Sequence, residues 1–168
     1  MLTIVVASAL VVYGIRQSQT PSVQVLHFKT VFWSEFGSAL VPHAGENFVI
    51  NDNDTWSKVY AEDICGNVDP CVPAPLLNFT SSTVLAVFAG YKPIAGYLIN
   101  ITQVNQTGQS IIIETRLTLP MSPDASDPCI AAEVPTYPFH VVTIPKTALS
   151  VAFKAGPVIQ TCHHPLQG

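Results

Sequence analysis

The chain has 168 residues and a net charge of −4, with 11% charged and 48% hydrophobic residues. Soluble domains carry roughly 25% charged residues, so this surface must be kept in solution by uncharged polar groups or by sugars. The acidic balance and the lack of a basic cluster argue against nucleic acid and against anionic membrane surfaces as partners.

Residues 2–15 are an uncharged apolar segment, LTIVVASALVVYGI. As a helix this segment would span about 21 Å, short of the roughly 30 Å hydrocarbon core of a bilayer. A secretory signal would show a basic stretch before the apolar run and a clear cleavage site after it, and neither is present. Seven of the fourteen residues are Val, Ile or Thr, which favour a strand of about 46 Å.

A strand formed by residues 2–15 would be apolar on both faces and would have to be buried on both. We therefore expect a donor strand that inserts into another subunit, leaving no membrane span in the assembled form. The alternatives are a strand or helix in the chain's own fold and a membrane or signal segment. The expected donor-strand residues are Leu2, Ile4, Val5, Val6, Leu10, Val11, Val12, Tyr13 and Ile15.

Residues 16–24 are polar and predict a hinge or linker, and residues 25–168 are expected to form the globular head. Strands are predicted over residues 25–33 and 48–50. A short helix over about 53–63 is predicted next, with Asn53 or Asp54 as its N-cap, because Trp56, Val59 and Tyr60 recur at helical spacing.

The remaining residues predict strands separated by turns rich in Gly and Pro. The predicted strands cover residues 83–88, 97–104, 110–119, 139–144 and 149–153, with 157–162 as a further candidate. A long proline-rich loop is expected over 120–138. The fold class is therefore mainly β, a sandwich or small barrel with one short helix.

Four cysteines without a CxxC pair indicate two disulfides and an oxidising, extracellular or cell-surface location. Four cysteines allow three connectivities, of which we favour Cys65–Cys71 and Cys129–Cys162. His163 and His164 follow Cys162 directly and suggest a metal-ligand set as an alternative, but only one cysteine accompanies them. No metal site is expected.

Four sequons of the form N-x-[ST] begin at Asn53, Asn78, Asn100 and Asn105, and together with the low charge they predict N-linked glycans. Asn100 alternates with Ile99 and Ile101 along a strand and is expected to point outward. Asn105 lies in a turn sequence. Asn53 has the alternative role of capping the helix.

No sequence motif supplies catalytic chemistry. None of the five histidines sits in a metalloprotease motif, and neither G-x-S-x-G nor a phosphate-binding loop is present. We therefore expect a protein that is not an enzyme, with no catalytic residues and no cofactor other than N-linked glycans.

Several stretches resemble the C-terminal domain of PrcB-type proteins: residues 48–50 followed by Trp56, then 85–93, 96–101 and 142–146. The resemblance covers roughly residues 48–147, and its most specific part is the strand–G-x-K-P-x-x-G-Y–strand stretch at 84–101. It implies an exported protein without catalytic residues, since the namesake is a lipoprotein that stabilises a surface protease. This chain lacks a lipobox cysteine near its start and adds four cysteines.

The overall design, an apolar N-terminal strand, a polar hinge and a glycosylated β head, also resembles the subunits of archaeal thread filaments. That resemblance implies an extracellular homopolymer built by donor-strand complementation, like a pilus, whose partners are copies of the chain itself. These features thus predict a filament subunit. The alternative is an exported, N-terminally tethered accessory or binding domain that stabilises a surface protease or another surface protein.

Overall fold

The structure, a computed structural model, describes residues 22–38, 45–66, 73–121 and 131–162. These ranges contain one helical stretch, in which α1 (Asn53–Val59) continues directly as a π-helical segment (Tyr60–Cys65). Their strands are β1 (Val23–Val25), β2 (Lys29–Ser34), β3 (Asn47–Ile50), β4 (Ser82–Phe88), β5 (Leu98–Thr107), β6 (Ser110–Leu119), β7 (Phe139–Pro145), β8 (Ser150–Ala155) and β9 (Ile159–Gln160). The predicted mainly β fold with one short helix is confirmed.

The strands form two sheets, which we call the outer sheet and the central sheet. The outer sheet has the order β1-β5-β6-β8, with β9 also beside β6, and the central sheet has the order β2-β7-β4-β3. Neighbouring strands are antiparallel, except that β8 and β9 run parallel to β6. Across the described residues the sheets do not close into a barrel, so the sandwich is the architecture observed.

The central sheet is buried on both faces, because the helix covers one face and the outer sheet covers the other. On β4, Val84 and Ala86 pack toward the helix, whereas Leu85 and Val87 pack toward the outer sheet. On β7, likewise, Val141 packs toward the helix, whereas the residue after it packs toward the outer sheet. A strand buried on both faces loses the polar–apolar alternation, which explains the continuous apolar run of β4.

The strand predicted over residues 25–33 is two strands in two different sheets. β1 pairs with β5 in the outer sheet, and Leu26 closes this pairing by donating its N–H to the Val104 carbonyl at 2.8 Å. The chain then crosses to the central sheet, where β2 pairs with β7. Alternating residues cannot reveal such a crossing, because both strands share the period of two.

The helix begins at Asn53, as predicted, but its N-cap lies one residue earlier than expected and its end lies later. Asp52, not Asn53 or Asp54, is the N-cap: it is extended, and its Oδ1 accepts from the Thr55 N–H at 2.8 Å. The hydrogen bonds from the Thr55 backbone and side chain lower the pKa of Asp52. The helical stretch ends at Cys65 instead of near residue 63. Trp56 is buried against the central sheet and donates from Nε1 to the Pro75 carbonyl at 3.1 Å.

A β-bulge at Thr102 changes which residues of β5 face the core. The pairing with β6 shifts between Ile101 and Gln103, and Thr102 is exposed and donates its hydroxyl to the Glu114 carbonyl at 3.2 Å. Because of the extra residue, Ile101 and Val104, three positions apart, both lie in the core between the sheets.

In the described residues, basic side chains are few and either lie within regular structure or are hydrogen-bonded. Four of the described ones lie in strands or in the helix: Lys29, Lys58, Arg116 and Lys154. Lys146 follows β7 and donates from Nζ to the main-chain and side-chain oxygens of Asn51 at 3.0 and 3.1 Å. Within the described ranges no helix is both long and apolar enough to cross a bilayer.

Candidate interaction site

The predicted donor-strand residues between Leu2 and Ile15 lie outside the described residues, so the donor strand stays a prediction. Cys71 and Cys129 also lie outside them. Cys65 and Cys162 are both disulfide-bonded, whereas the connectivity stays a prediction. His163 and His164 lie beyond the described residues. In the described part of the chain, no group of His, Cys, Asp and Glu side chains is arranged to hold a metal ion.

The four sequon asparagines lie in two different settings. Asn53 and Asn78 are exposed, whereas Asn100 and Asn105 are half-buried on β5. Asn78 forms a local turn in which its Oδ1 accepts from the Thr80 hydroxyl at 2.6 Å and from the Thr80 N–H at 3.1 Å. This turn leaves the Asn78 amide on an exposed loop, the setting that a glycan requires. Use of any sequon stays a prediction.

The loop between β4 and β5 carries the G-x-K-P-x-x-G-Y motif, and two of its glycines adopt positive φ. Gly90 has φ 72° and Gly96 has φ 93°, a region that side chains other than glycine rarely enter. A Cβ on Gly96 would also lie 2.7 Å from Cβ of Pro120. The glycines of the motif therefore fix the path of the loop.

Lys92 stabilises the same loop through contacts of its side chain and its main chain. Its Nζ donates to the Ala89 carbonyl and lies 5.8 Å from the centre of the Tyr97 ring. Its main chain pairs with Thr136 through two hydrogen bonds of 2.9 Å. Burial lowers the pKa of Lys92. The lysine of the motif therefore has a structural role in this loop.

The segment after β2 is hydrogen-bonded both to this loop and to Tyr137. Glu35 accepts the Gly96 N–H at its Oε2 at 2.8 Å, and its carbonyl accepts the Tyr137 N–H at 3.0 Å. The Tyr137 ring lies edge-on to Tyr91, with 5.8 Å between ring centres. Three large aromatic side chains stay in solvent around this junction, with Trp33 60%, Phe36 59% and Tyr91 53% exposed.

A groove opens between β2 and β5, where the edges of the two sheets meet. Its volume is about 520 Å³. Its lining residues are Phe28, Thr30, Trp33, Leu98, Asn100, Ile101 and His140. The lining contains no Lys, Arg, Asp or Glu. With His140 in its neutral form, the groove is uncharged. We call this feature the β2–β5 groove.

His140 forms the floor of the β2–β5 groove and links the two sheets. It is 5% exposed and lies edge-on to Phe28, with ring centres 6.5 Å apart. Its Nδ1 accepts the Ile101 N–H at 2.9 Å, so the ring proton is on Nε2, which donates to the Thr30 hydroxyl at 3.0 Å. Burial lowers the pKa of His140. These two bonds require the neutral ring.

The motif loop and the strands on either side of it form the part of the chain that a known family shares. Residues 83–145 match the family model of the PrcB C-terminal domain. This confirms the resemblance drawn from the sequence. No curated protein and no solved structure matches the chain.

The PrcB C-terminal match runs from β4 to β7 and includes the motif loop, β5 and β6. It does not include residues 48–82, which the sequence resemblance also covered. β2, which forms one wall of the β2–β5 groove, lies outside the match as well. The groove therefore combines PrcB-like strands with an edge strand that precedes them in this chain.

A second cleft lies between β3 and the outer sheet, on the opposite side of the sandwich. It has a volume of about 360 Å³ and is mainly apolar, with Phe88, Ile99, Leu117 and Phe153 in its lining. Neither this cleft nor the β2–β5 groove was predicted from the sequence. The one sequence feature that could have indicated the groove is Trp33, an aromatic residue of a predicted strand.

Proposed function

We propose that this protein is an exported accessory domain that binds and stabilises a surface protease or another surface protein. The observation that carries the proposal is the PrcB C-terminal match over residues 83–145. In the resemblance drawn from the sequence, the namesake of that family is a lipoprotein that stabilises a surface protease. Two disulfide-bonded cysteines and four sequons support an extracellular or cell-surface location.

The arrangement of side chains supports binding rather than catalysis. The motif residues Lys92 and Gly96 are engaged inside the loop, and the residues left in solvent beside it are aromatic. Exposed aromatic side chains are typical of protein interaction sites, where they supply contact area at low entropic cost. No enzymatic activity and no cofactor are part of this proposal.

Deletion of the gene in the native host tests the proposed function. We expect the amount and half-life of at least one exported protease or other surface protein to fall, because its stabilising partner is missing. Quantitative mass spectrometry of the surface proteins measures this, and the wild-type gene should restore the lost protein. If the surface proteins are unchanged in amount and half-life, the protein has no stabilising role.

The filament hypothesis depends on residues 2–15 and stays a prediction. It expects each chain to insert this segment into the next head, giving a head-to-tail polymer that does not close. Negative-stain images of the purified protein distinguish the two functions, with fibres for the filament and single particles for the accessory domain. Replacing Val6 and Leu10 by Asp should abolish such fibres while leaving the head folded.

A further inference from the structure

We propose that the edge of β5 at residues 98–101 takes up an extended, uncharged segment of the partner protein by strand addition. An apolar side chain of this segment would lie against Trp33 in the β2–β5 groove. The inference rests on the proposed function as a binding domain and specifies how the partner is held.

The geometry of β5 shows that this stretch is an open edge. β1 pairs with Asn105–Thr107 only, and Leu26 adds one bond to Val104. In the described part of the chain, no strand pairs with residues 98–101 on the side away from β6. Within the described ranges, the outer sheet is therefore covered along one half of this edge and open along the other.

The hydrogen bonds of β5 show which main-chain groups face the open side. The Ile101 N–H points away from β6, because it donates to His140. In an antiparallel pair, alternate residues direct both the N–H and the C=O to the same side. Ile99 therefore presents its N–H and C=O to the open side, whereas Ile101 offers only its C=O there, because its N–H is bonded to His140. These are the groups that an added strand pairs with.

The β2–β5 groove lies beside this edge and defines the chemistry of the segment. Trp33 is 60% exposed at the mouth of the groove, and Phe28 and Leu98 contribute further apolar lining. The lining offers no Lys or Arg to an anionic group and no Asp or Glu to a cationic group. An uncharged segment with an apolar residue at alternate positions satisfies both the edge and the groove.

Asn100 also lines this groove, so a glycan on its sequon would occupy the space that the added strand needs. The binding experiment therefore uses the full-length chain produced without glycosylation. Modification of Asn100 and strand addition are expected to exclude each other.

The probe is an array of uncharged ten-residue peptides in which apolar and polar residues alternate, with each binder resynthesised for titration. We expect binding that falls at least about tenfold in Trp33→Ala, because a tenfold loss corresponds to about 1.4 kcal/mol and truncation of an aromatic hot spot typically costs about 2 kcal/mol or more. Leu76→Ala is the control, since Leu76 is 97% exposed and lies outside the groove; it should bind as the wild type does.

Main-chain pairing is tested with the same peptides methylated on alternate backbone nitrogens, which removes N–H donors and keeps the side chains. Strand addition predicts that one of the two methylation patterns abolishes binding. Equal binding of both methylated forms overturns strand addition, and so does an array without any binder. An equal loss in Trp33→Ala and Leu76→Ala shows that binding does not depend on the groove and overturns its assignment as the site.

A peptide of this chain's own residues 2–15 is included as a competitor. If it binds at this edge more tightly than any array peptide, the occupant is a second copy of the chain and the partner named above is wrong. Failure of the proposed function has a different signature, because gene deletion would then leave surface proteins unchanged while peptide binding persists.

Discussion

At the scale of single residues, His140 links the two sheets through its ring. It belongs to β7 in the central sheet, yet its ring accepts from Ile101 in the outer sheet and donates to Thr30 on β2. Both bonds need the neutral tautomer, since a proton on Nδ1 would face the Ile101 N–H. The contact between the sheets at this edge therefore depends on the protonation of one ring.

Acidification should destabilise the protein through His140. Burial lowers its pKa in the folded state, so its contribution to stability is complete above its ordinary value of about 6.5. The contribution is lost progressively as the pH falls below that value toward the folded pKa, because the unfolded chain then binds the proton more readily. We expect the urea concentration at the midpoint of unfolding to be lower at pH 5 than at pH 7.5.

The matched variants for this experiment are His140→Gln and His27→Gln. A glutamine at position 140 has both an acceptor and donors but no proton to gain in this range, so the pH-dependent loss should shrink. His27 is exposed, and its replacement should leave the loss as in the wild type. A pH response that persists in His140→Gln would contradict the role assigned to this ring.

Gly96 and Gly108 form a second pair of residues whose comparison is informative. Both have positive φ, but a Cβ on Gly96 meets Pro120 at 2.7 Å, whereas a Cβ on Gly108 meets nothing within 4 Å. Gly96→Ala should therefore lower the free energy of unfolding by about 2–4 kcal/mol, against about 1 kcal/mol for Gly108→Ala. Denaturant titration measures both, and equal losses would show that Pro120 moves aside at little cost.

At the scale of elements, the sequence predicted the existence of strands and helix better than their connections. Ser110–Leu119 was predicted with its observed bounds, because a long alternating run after a glycine turn is a strong local signal. The crossing between β1 and β2 was missed, since it leaves the alternation unchanged. The bulge at Thr102 was also missed, because it depends on pairing with Glu114 across the strands.

The start of the helix shows how local chemistry resolves an ambiguous cap. Asn51, Asp52, Asn53 and Asp54 are all suitable N-cap residues by type, and only the backbone reveals that Asp52 is the extended one. Asp52→Ala should lower the thermal midpoint because the Thr55 N–H loses its acceptor, whereas Asn53→Ala should change it little. Thermal unfolding followed by circular dichroism compares the two, and a larger loss in Asn53→Ala would contradict this cap.

At the scale of the whole molecule, the packing of the helix, the central sheet and the outer sheet as three layers explains which parts of the candidate site were predictable. The motif loop could be recognised because its two glycines, its lysine and its proline lie together in residues 90–97. The β2–β5 groove could not, because β2 and β5 are distant in sequence and meet only when the central sheet packs on the outer sheet. The site thus arises from the arrangement of layers, which single-sequence patterns do not encode.

The positions of the few basic residues should make the native protein resistant to trypsin, a useful property for a domain that binds a protease. Trypsin cleaves after Lys and Arg, and productive cleavage requires a locally unfolded chain. Every Lys or Arg of the described residues, after which trypsin could cleave, lies in a strand, in the helix or in a hydrogen-bonded position. Lys92 is in addition followed by Pro93. Residues 39–44, 67–72, 122–130 and 163–168 contain no Lys or Arg at all. Native digestion should therefore yield a single cut after Arg16 in the predicted hinge, visible as one mass step, and early cuts inside the head would contradict this expectation.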